Sequence, residues 1–269
     1  MSGRIADTFA RLRRDKQAGL VTYVTAGDPD LTRSAAILEA LDRAGADVLE
    51  VGVPFSDPLA DGPVIQRATE RALAAGSTLK GTLTLVETVR AKVKAPIVIF
   101  SYANPILRMG LDAFVARAAA AGVDGVLVLD LPIEEAADFR ETLAAQNLDT
   151  IFLLSPTTTD ARIRRAGELG RGFLYGISRL GVTGARDQVA TGAEEMVRRI
   201  RRHTDLPIAL GFGISRAEHV AQVGVYADAA VVGSALVALI AEASGSPRLI
   251  ERVEAYVREL KGACVAPGT

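Results

Sequence analysis

One cysteine, two histidines and no apolar run of bilayer length are the first limits on this 269-residue chain. Cys264 alone cannot build a disulfide framework, so stability must come from a packed core, and the composition fits a reducing, cytoplasmic compartment. Met1-Ser2-Gly3-Arg4 lacks the apolar stretch of a signal peptide, and no run approaches the ~20 residues that cross a membrane. An excess of either charge is also missing. The 31 Lys and Arg face 32 Asp and Glu, a net charge of −1, which argues against a nucleic-acid or polyanion surface. The basic run 198–202 reads as the solvated face of a helix whose Met196, Val197 and Ile200 turn inward. His203 and His219 fall in helical segments, which argues against either as a metal ligand or triad member. No lysine sits in a strand beyond the first helix, which disfavours a Schiff-base aldolase, and no metal-ligand cluster or dinucleotide fingerprint is found.

What the chain has in quantity is apolar residues, 49% of the total, arranged in a β-then-α rhythm. A helix over Ile5–Ala18 precedes strands at Leu20–Thr25, Val48–Val51, Pro96–Phe100, Gly125–Leu129, Thr150–Leu154, Gly172–Gly176, Pro207–Leu210 and Ala229–Val232. Helical patterns separate them, including Gly81–Val93 and Glu134–Gln146, while Ser101–Pro105 reads as a loop. Eight βα units in a chain of this length predict an α/β fold, a closed (β/α)8 TIM barrel with an extra N-terminal helix. No linker or composition break divides the chain, so a single domain over residues 1–269 is expected. The longest strand-to-helix stretches follow strands two and six and are expected to be the working loops.

The stretch Leu49-Glu50-Val51-Gly52-Val53-Pro54-Phe55-Ser56-Asp57-Pro58-Leu59-Ala60-Asp61-Gly62 carries the chemistry. Glu50 lies inside a short aliphatic strand, where an ionised carboxylate is costly unless it is paired or its raised pKa serves proton transfer. A buried salt bridge and a catalytic acid–base group are both open readings for Glu50 alone. Asp57 and Asp61 each sit in an ordinary turn pair, but three carboxylates at the carboxyl end of one strand fall where parallel α/β proteins bind ligands.

Gly211-Phe212-Gly213-Ile214-Ser215 follows strand seven, and Gly233-Ser234 follows strand eight. Glycine turns beside a helix N-terminus suit an anion, and barrels often hold phosphate at this place. The Gly-rich loop Ser178–Arg186 has two open readings, a flexible surface connector and a lid over the ligand with Gly184 adding a phosphate contact. Tyr175 and Tyr102 are open to two readings, polar tips turned toward the barrel mouth or, the commoner fate, buried hydroxyls satisfied by backbone.

The Leu49–Pro63 stretch resembles the signature of the tryptophan synthase α subunit family. Thr25-Ala26-Gly27-Asp28-Pro29, Tyr102-Ala103-Asn104-Pro105, Gly181-Val182-Thr183-Gly184 and Gly211–Ser215 resemble the same family in the same order, so the similarity spans about residues 20 to 235. The resemblance implies retro-aldol cleavage of indole-3-glycerol phosphate to indole and glyceraldehyde 3-phosphate, with no metal or organic cofactor. It implies that Glu50 shuttles protons and that Asp61 accepts a hydrogen bond from the indole N–H. Gly184, Gly211, Phe212, Gly213, Gly233 and Ser234 would hold the phosphate, and Tyr175 and Thr183 would place Glu50 and Asp61. Tyr23, Phe100, Leu127 and Ile65 would wall the indole pocket. A pyridoxal-phosphate-dependent β subunit would dock on the Asp57 loop and the Pro54 region, within an α2β2 heterotetramer. Position 173 is Phe where many relatives carry Tyr. Three alternatives remain at this point: a free-standing indole-3-glycerol-phosphate lyase, a non-catalytic interaction barrel, and another phosphate-binding barrel enzyme such as an isomerase.

Overall fold

The computed structural model describes residues 3–177, 192–211 and 213–264. Among them, eight parallel strands close in sequence order, each paired with the next and β8 returning to β1. They are β1 Gly19–Thr25, β2 Val48–Gly52, β3 Ile97–Ser101, β4 Gly125–Val128, β5 Asp149–Leu154, β6 Leu174–Ile177, β7 Ile208–Gly211 and β8 Ala229–Val232. Outside them run α2 Leu31–Arg43, α3 Pro63–Ala74, α4 Leu79–Val89, α5 Ala103–Met109, α6 Leu111–Ala121, α7 Ala137–Ala145, α8 Asp160–Leu169, α9 Ala193–Arg201, α10 Ala217–Gly224, α11 Ser234–Ala243 and α12 Leu249–Gly262. This is the expected (β/α)8 barrel. Its strands are apolar on both faces because one face fills the barrel and the other meets helices; all seven residues of β1 are buried.

The N-terminal helix, α1 Arg4–Arg14, is shorter than its apolar pattern suggests and closes the bottom of the barrel. Ile5, Phe9 and Leu12 join Val21, Val48, Val98 and Ile151 in the interior cluster. Phe9 meets Phe173 at a ring distance of 5.6 Å. Phe173 is therefore a bottom packing residue on the side of the barrel opposite the mouth.

That bottom face is tied by a repeated device. Asp47, before β2, accepts the Leu20 N–H at 2.8 Å and pairs with Arg11 and Lys261. Asp124, before β4, accepts the Ile97 N–H at 2.8 Å and pairs with Arg4 and Arg90. Asp228, before β8, accepts the Ile208 N–H at 2.7 Å and pairs with Arg201. Each aspartate satisfies an N–H that opens the preceding strand, and the cation prevents a buried unpaired charge.

Several boundaries differ from the sequence pattern. Ser101–Pro105 is not all loop: α5 begins at Ala103, and Pro105 is tolerated because its missing N–H falls in the first turn, where no helical partner exists. The helix expected over Glu134–Gln146 is broken. A 3₁₀ turn at Ile133–Glu135 precedes α7, and the break falls on fully buried Ala136 (φ −86°, ψ 0°), a residue with no turn signature. β6 begins at Leu174 because Gly172, at φ +77°, makes the turn before it. The helix expected over Gly81–Val93 starts two residues earlier, where the Thr78 side chain accepts the Gly81 N–H at 3.1 Å, and ends at Val89.

Candidate active site

The mouth of the barrel is built by alternation along the strands. Register pairs Tyr23 with Glu50, Glu50 with Val98 and Gly52 with Phe100, so these residues share the inner face. Tyr175 of β6 and Ala209 of β7 continue that face. Phe100 meets Tyr23 edge-on at 5.2 Å and Tyr175 at 6.5 Å, an aromatic ring around the opening.

Two glycines make the ring possible. A Cβ at Gly52 would lie 2.1 Å from the Tyr23 hydroxyl, and one at Gly211 would lie 2.5 Å from the Tyr175 hydroxyl. Gly211, read from the sequence as a phosphate contact, therefore also gives Tyr175 its space. Gly213 adopts φ +87°, a left-handed conformation that a side chain would strain. Gly233 caps α11, which starts at Ser234, so a helix N-terminus does sit after β8 as expected.

Glu50 is fully buried in β2, and neither carboxyl oxygen has a hydrogen-bond partner among the described residues. The salt-bridge reading finds no support there, since no described Arg or Lys reaches it. Burial alone raises its pKa from 4.5 to about 8. Asp61 is 6% exposed at the end of the loop after β2. Burial raises its pKa to about 6, against the hydrogen bond from the Tyr102 hydroxyl, which lowers it. That bond is 3.1 Å long. Tyr23 keeps its proton far above its usual range through burial first, then through the charges of Asp61 and, more weakly, Glu50. Tyr175 does the same through burial and Glu50. Both phenols are neutral donors facing two carboxyl groups.

The other expected pocket residues separate into two levels. Ile65 of α3 packs with Tyr23, Ala68 and Val237, with Phe100 against them, at the mouth. Leu127 is fully buried in the lower interior cluster, with Phe100 and Tyr175 along its edge, and forms floor rather than wall. Tyr175 lies near Glu50 but makes no hydrogen bond to it. Thr183, Gly184 and Phe212 lie outside the described residues. Tyr102 belongs to a motif noticed in the sequence, but nothing in its spacing indicated a bond to Asp61, 41 residues away.

A closed barrel that seats two desolvated carboxyl groups at the carboxyl ends of its strands belongs to the class of acid–base (β/α)8 enzymes. Its family is specific. The family model described as tryptophan synthase alpha chain matches residues 9–265, and the chain belongs to that family. A tryptophan synthase alpha chain of Geotalea uraniireducens is 49% identical over 265 residues, covering 98% of this chain and 99% of that one. One of Geobacter sulfurreducens is also 49% identical, over 260 residues. Among solved structures, a Mycobacterium tuberculosis tryptophan synthase superposes with a TM-score of 0.91 at 38% identity, covering 100% of both chains. A tryptophan synthase alpha subunit of Legionella pneumophila gives 0.89 at 34% identity, covering 98% of this chain and 99% of that one.

Proposed function

We propose that Glu50 and Asp61 divide the work of cleaving indole-3-glycerol phosphate between them. The chain is a carbon–carbon lyase of tryptophan biosynthesis, releasing indole and glyceraldehyde 3-phosphate. The observation that carries the division of labour is the contrast between the two carboxyl groups: one without a hydrogen-bond partner among the described residues and protonated to about pH 8, the other hydrogen-bonded and ionised above about pH 6.

In the first step protonated Glu50 gives its proton to indole C3. The ring becomes an indoleninium cation, and ionised Asp61 accepts the ring N–H and balances the positive charge. In the second step the Glu50 carboxylate takes the proton of the side-chain hydroxyl. The bond between C3 and the glycerol carbon breaks, its electron pair restores the aromatic ring, and the aldehyde forms. Glu50 ends as it began, protonated. Both steps occur in a water-poor mouth, where charge interactions are stronger than in solvent. Tyr23, Phe100 and Ile65 line the aromatic part of the substrate site, and Gly211, Gly213, Gly233 and Ser234 take the phosphate.

Gly213→Val tests the phosphate end. A β-branched residue at φ +87° is strained, and the turn must shift. The expected result is a KM for the phosphorylated substrate raised by about 10-fold or more with a smaller change in kcat.

The family implies a β-subunit partner. We place it on the loop between β2 and α3, where Leu59 is 87% exposed, within an α2β2 assembly in the cytoplasm. Among the described residues no helix is long and apolar enough to cross a membrane. The experiment is indole release from indole-3-glycerol phosphate by the purified chain, alone and with a tryptophan synthase β subunit. Slow release that rises strongly with the partner supports the synthase reading. Release that is fast and indifferent to the partner favours the free-standing lyase.

A further inference from the structure

Tyr102 stands at a junction that the chemistry above does not use. Its hydroxyl accepts the Ala60 N–H at 3.0 Å and donates to Asp61 Oδ2 at 3.1 Å. Its ring packs on Phe55 at 5.2 Å. One side chain therefore holds the loop after β2 at both its beginning and its end. The residue is itself firmly mounted. It directly follows β3, its carbonyl accepts from the Ser101 hydroxyl at 2.9 Å, and the next N–H, that of Ala103, donates to Asp130 at 2.7 Å. Tyr102 is 5% exposed and its bond to Asp61 is buried, and out of water a hydrogen bond to a carboxylate has its largest effect.

We propose that Tyr102 is a positioning residue for the lyase reaction, clamping the β2–α3 loop and setting both the direction and the charge of Asp61. The proposal rests on the assignment of Asp61 to the indole N–H. With the phenol donating to Oδ2, Oδ1 is left to accept the ring N–H, so the clamp presents one oxygen to the substrate. The same bond opposes the effect of burial on Asp61, so its loss makes the carboxylate harder to ionise. Among the described residues, Tyr23 faces Asp61 across the mouth, Asp130 faces Tyr102 from beyond β4, and Glu50 faces Tyr23.

The test is Tyr102→Phe, which keeps the ring against Phe55 and removes both hydrogen bonds. Its pH profile of indole release is compared with that of the unchanged chain. The expected result is a folded variant whose rate falls about 10-fold near pH 6 and by only a few-fold near pH 8, with KM altered by less than about threefold. A merely structural residue gives the same loss at every pH, and that outcome, or no loss at all, overturns the proposal. A carboxyl ¹³C NMR titration of Asp61 in both proteins reads the clamp without turnover. A midpoint moved to higher pH in Tyr102→Phe supports it, and an unmoved midpoint refutes it. If the unchanged chain releases no indole, the functional reading fails, while the titration still decides whether Tyr102 controls Asp61.

Discussion

Glu50→Gln is expected to lower indole release by about 10²- to 10⁴-fold, the usual contribution of a well-placed general acid–base group, while the barrel stays folded. Glutamine has nearly the shape of glutamic acid but can neither give a proton to C3 nor take one from the hydroxyl. It also breaks no existing contact, because both Glu50 oxygens lack partners among the described residues. Loss of activity with an intact fold therefore isolates the proton. The unchanged enzyme should show a bell-shaped profile of kcat/KM. The rate rises as Asp61 ionises at about 6 and falls as Glu50 loses its proton at about 8. Unaltered turnover by Glu50→Gln would remove Glu50 from the chemistry.

The same substitution is expected to raise stability in alkali. In the folded protein burial lifts the Glu50 pKa from 4.5 to about 8, so the native state binds this proton more tightly than the unfolded chain does. Its stabilising effect is complete below about 4.5 and is lost as pH rises through about 8. At alkaline pH the wild-type chain must either hold a desolvated charge or keep a proton that the unfolded chain would release. Both are unfavourable, on the order of a few kcal/mol. Glu50→Gln has no such dependence. Denaturant unfolding near pH 9 should show the variant more stable than the parent by that order, with a much smaller gap near pH 5. An equal gap at both pH values would mean that Glu50 finds a charge partner in solution. The two results together describe a site held at a cost in stability because the reaction needs it.

Much of this architecture was legible as periodicity. Apolar runs such as Val48–Val51 and Ala229–Val232 were found at their places because a strand buried on both faces leaves a continuous apolar signal. The start of α2 was legible in its cap, Asp30, which accepts the Arg33 N–H at 2.8 Å. Thr78 caps α4 in the same way, yet the apolar pattern placed that start at Gly81, and the break at Ala136 has no chemical marker at all. Glu50 was legible because a carboxylate within an aliphatic run contradicts its surroundings, and Gly213 because a glycine after a strand marks a turn.

Composition, rhythm and the acid in β2 thus pointed to a closed α/β barrel with carboxylates at the carboxyl end of a strand, since each is a local property of the chain, and the resemblance of Leu49–Pro63 to a known family gave Glu50 its expected proton-transfer role. Only closure of the barrel decided which distant residues meet. It left Glu50 without a cation among the described residues, set the Tyr102 hydroxyl against Asp61 and put Tyr23 and Tyr175 into the space above Gly52 and Gly211. It also turned Asp47, Asp124 and Asp228 into ties for the bottom face. Local patterning reports how each segment is buried. Partners tens of residues apart are chosen by the geometry of eight strands meeting in a ring, and no short stretch of sequence contains that geometry.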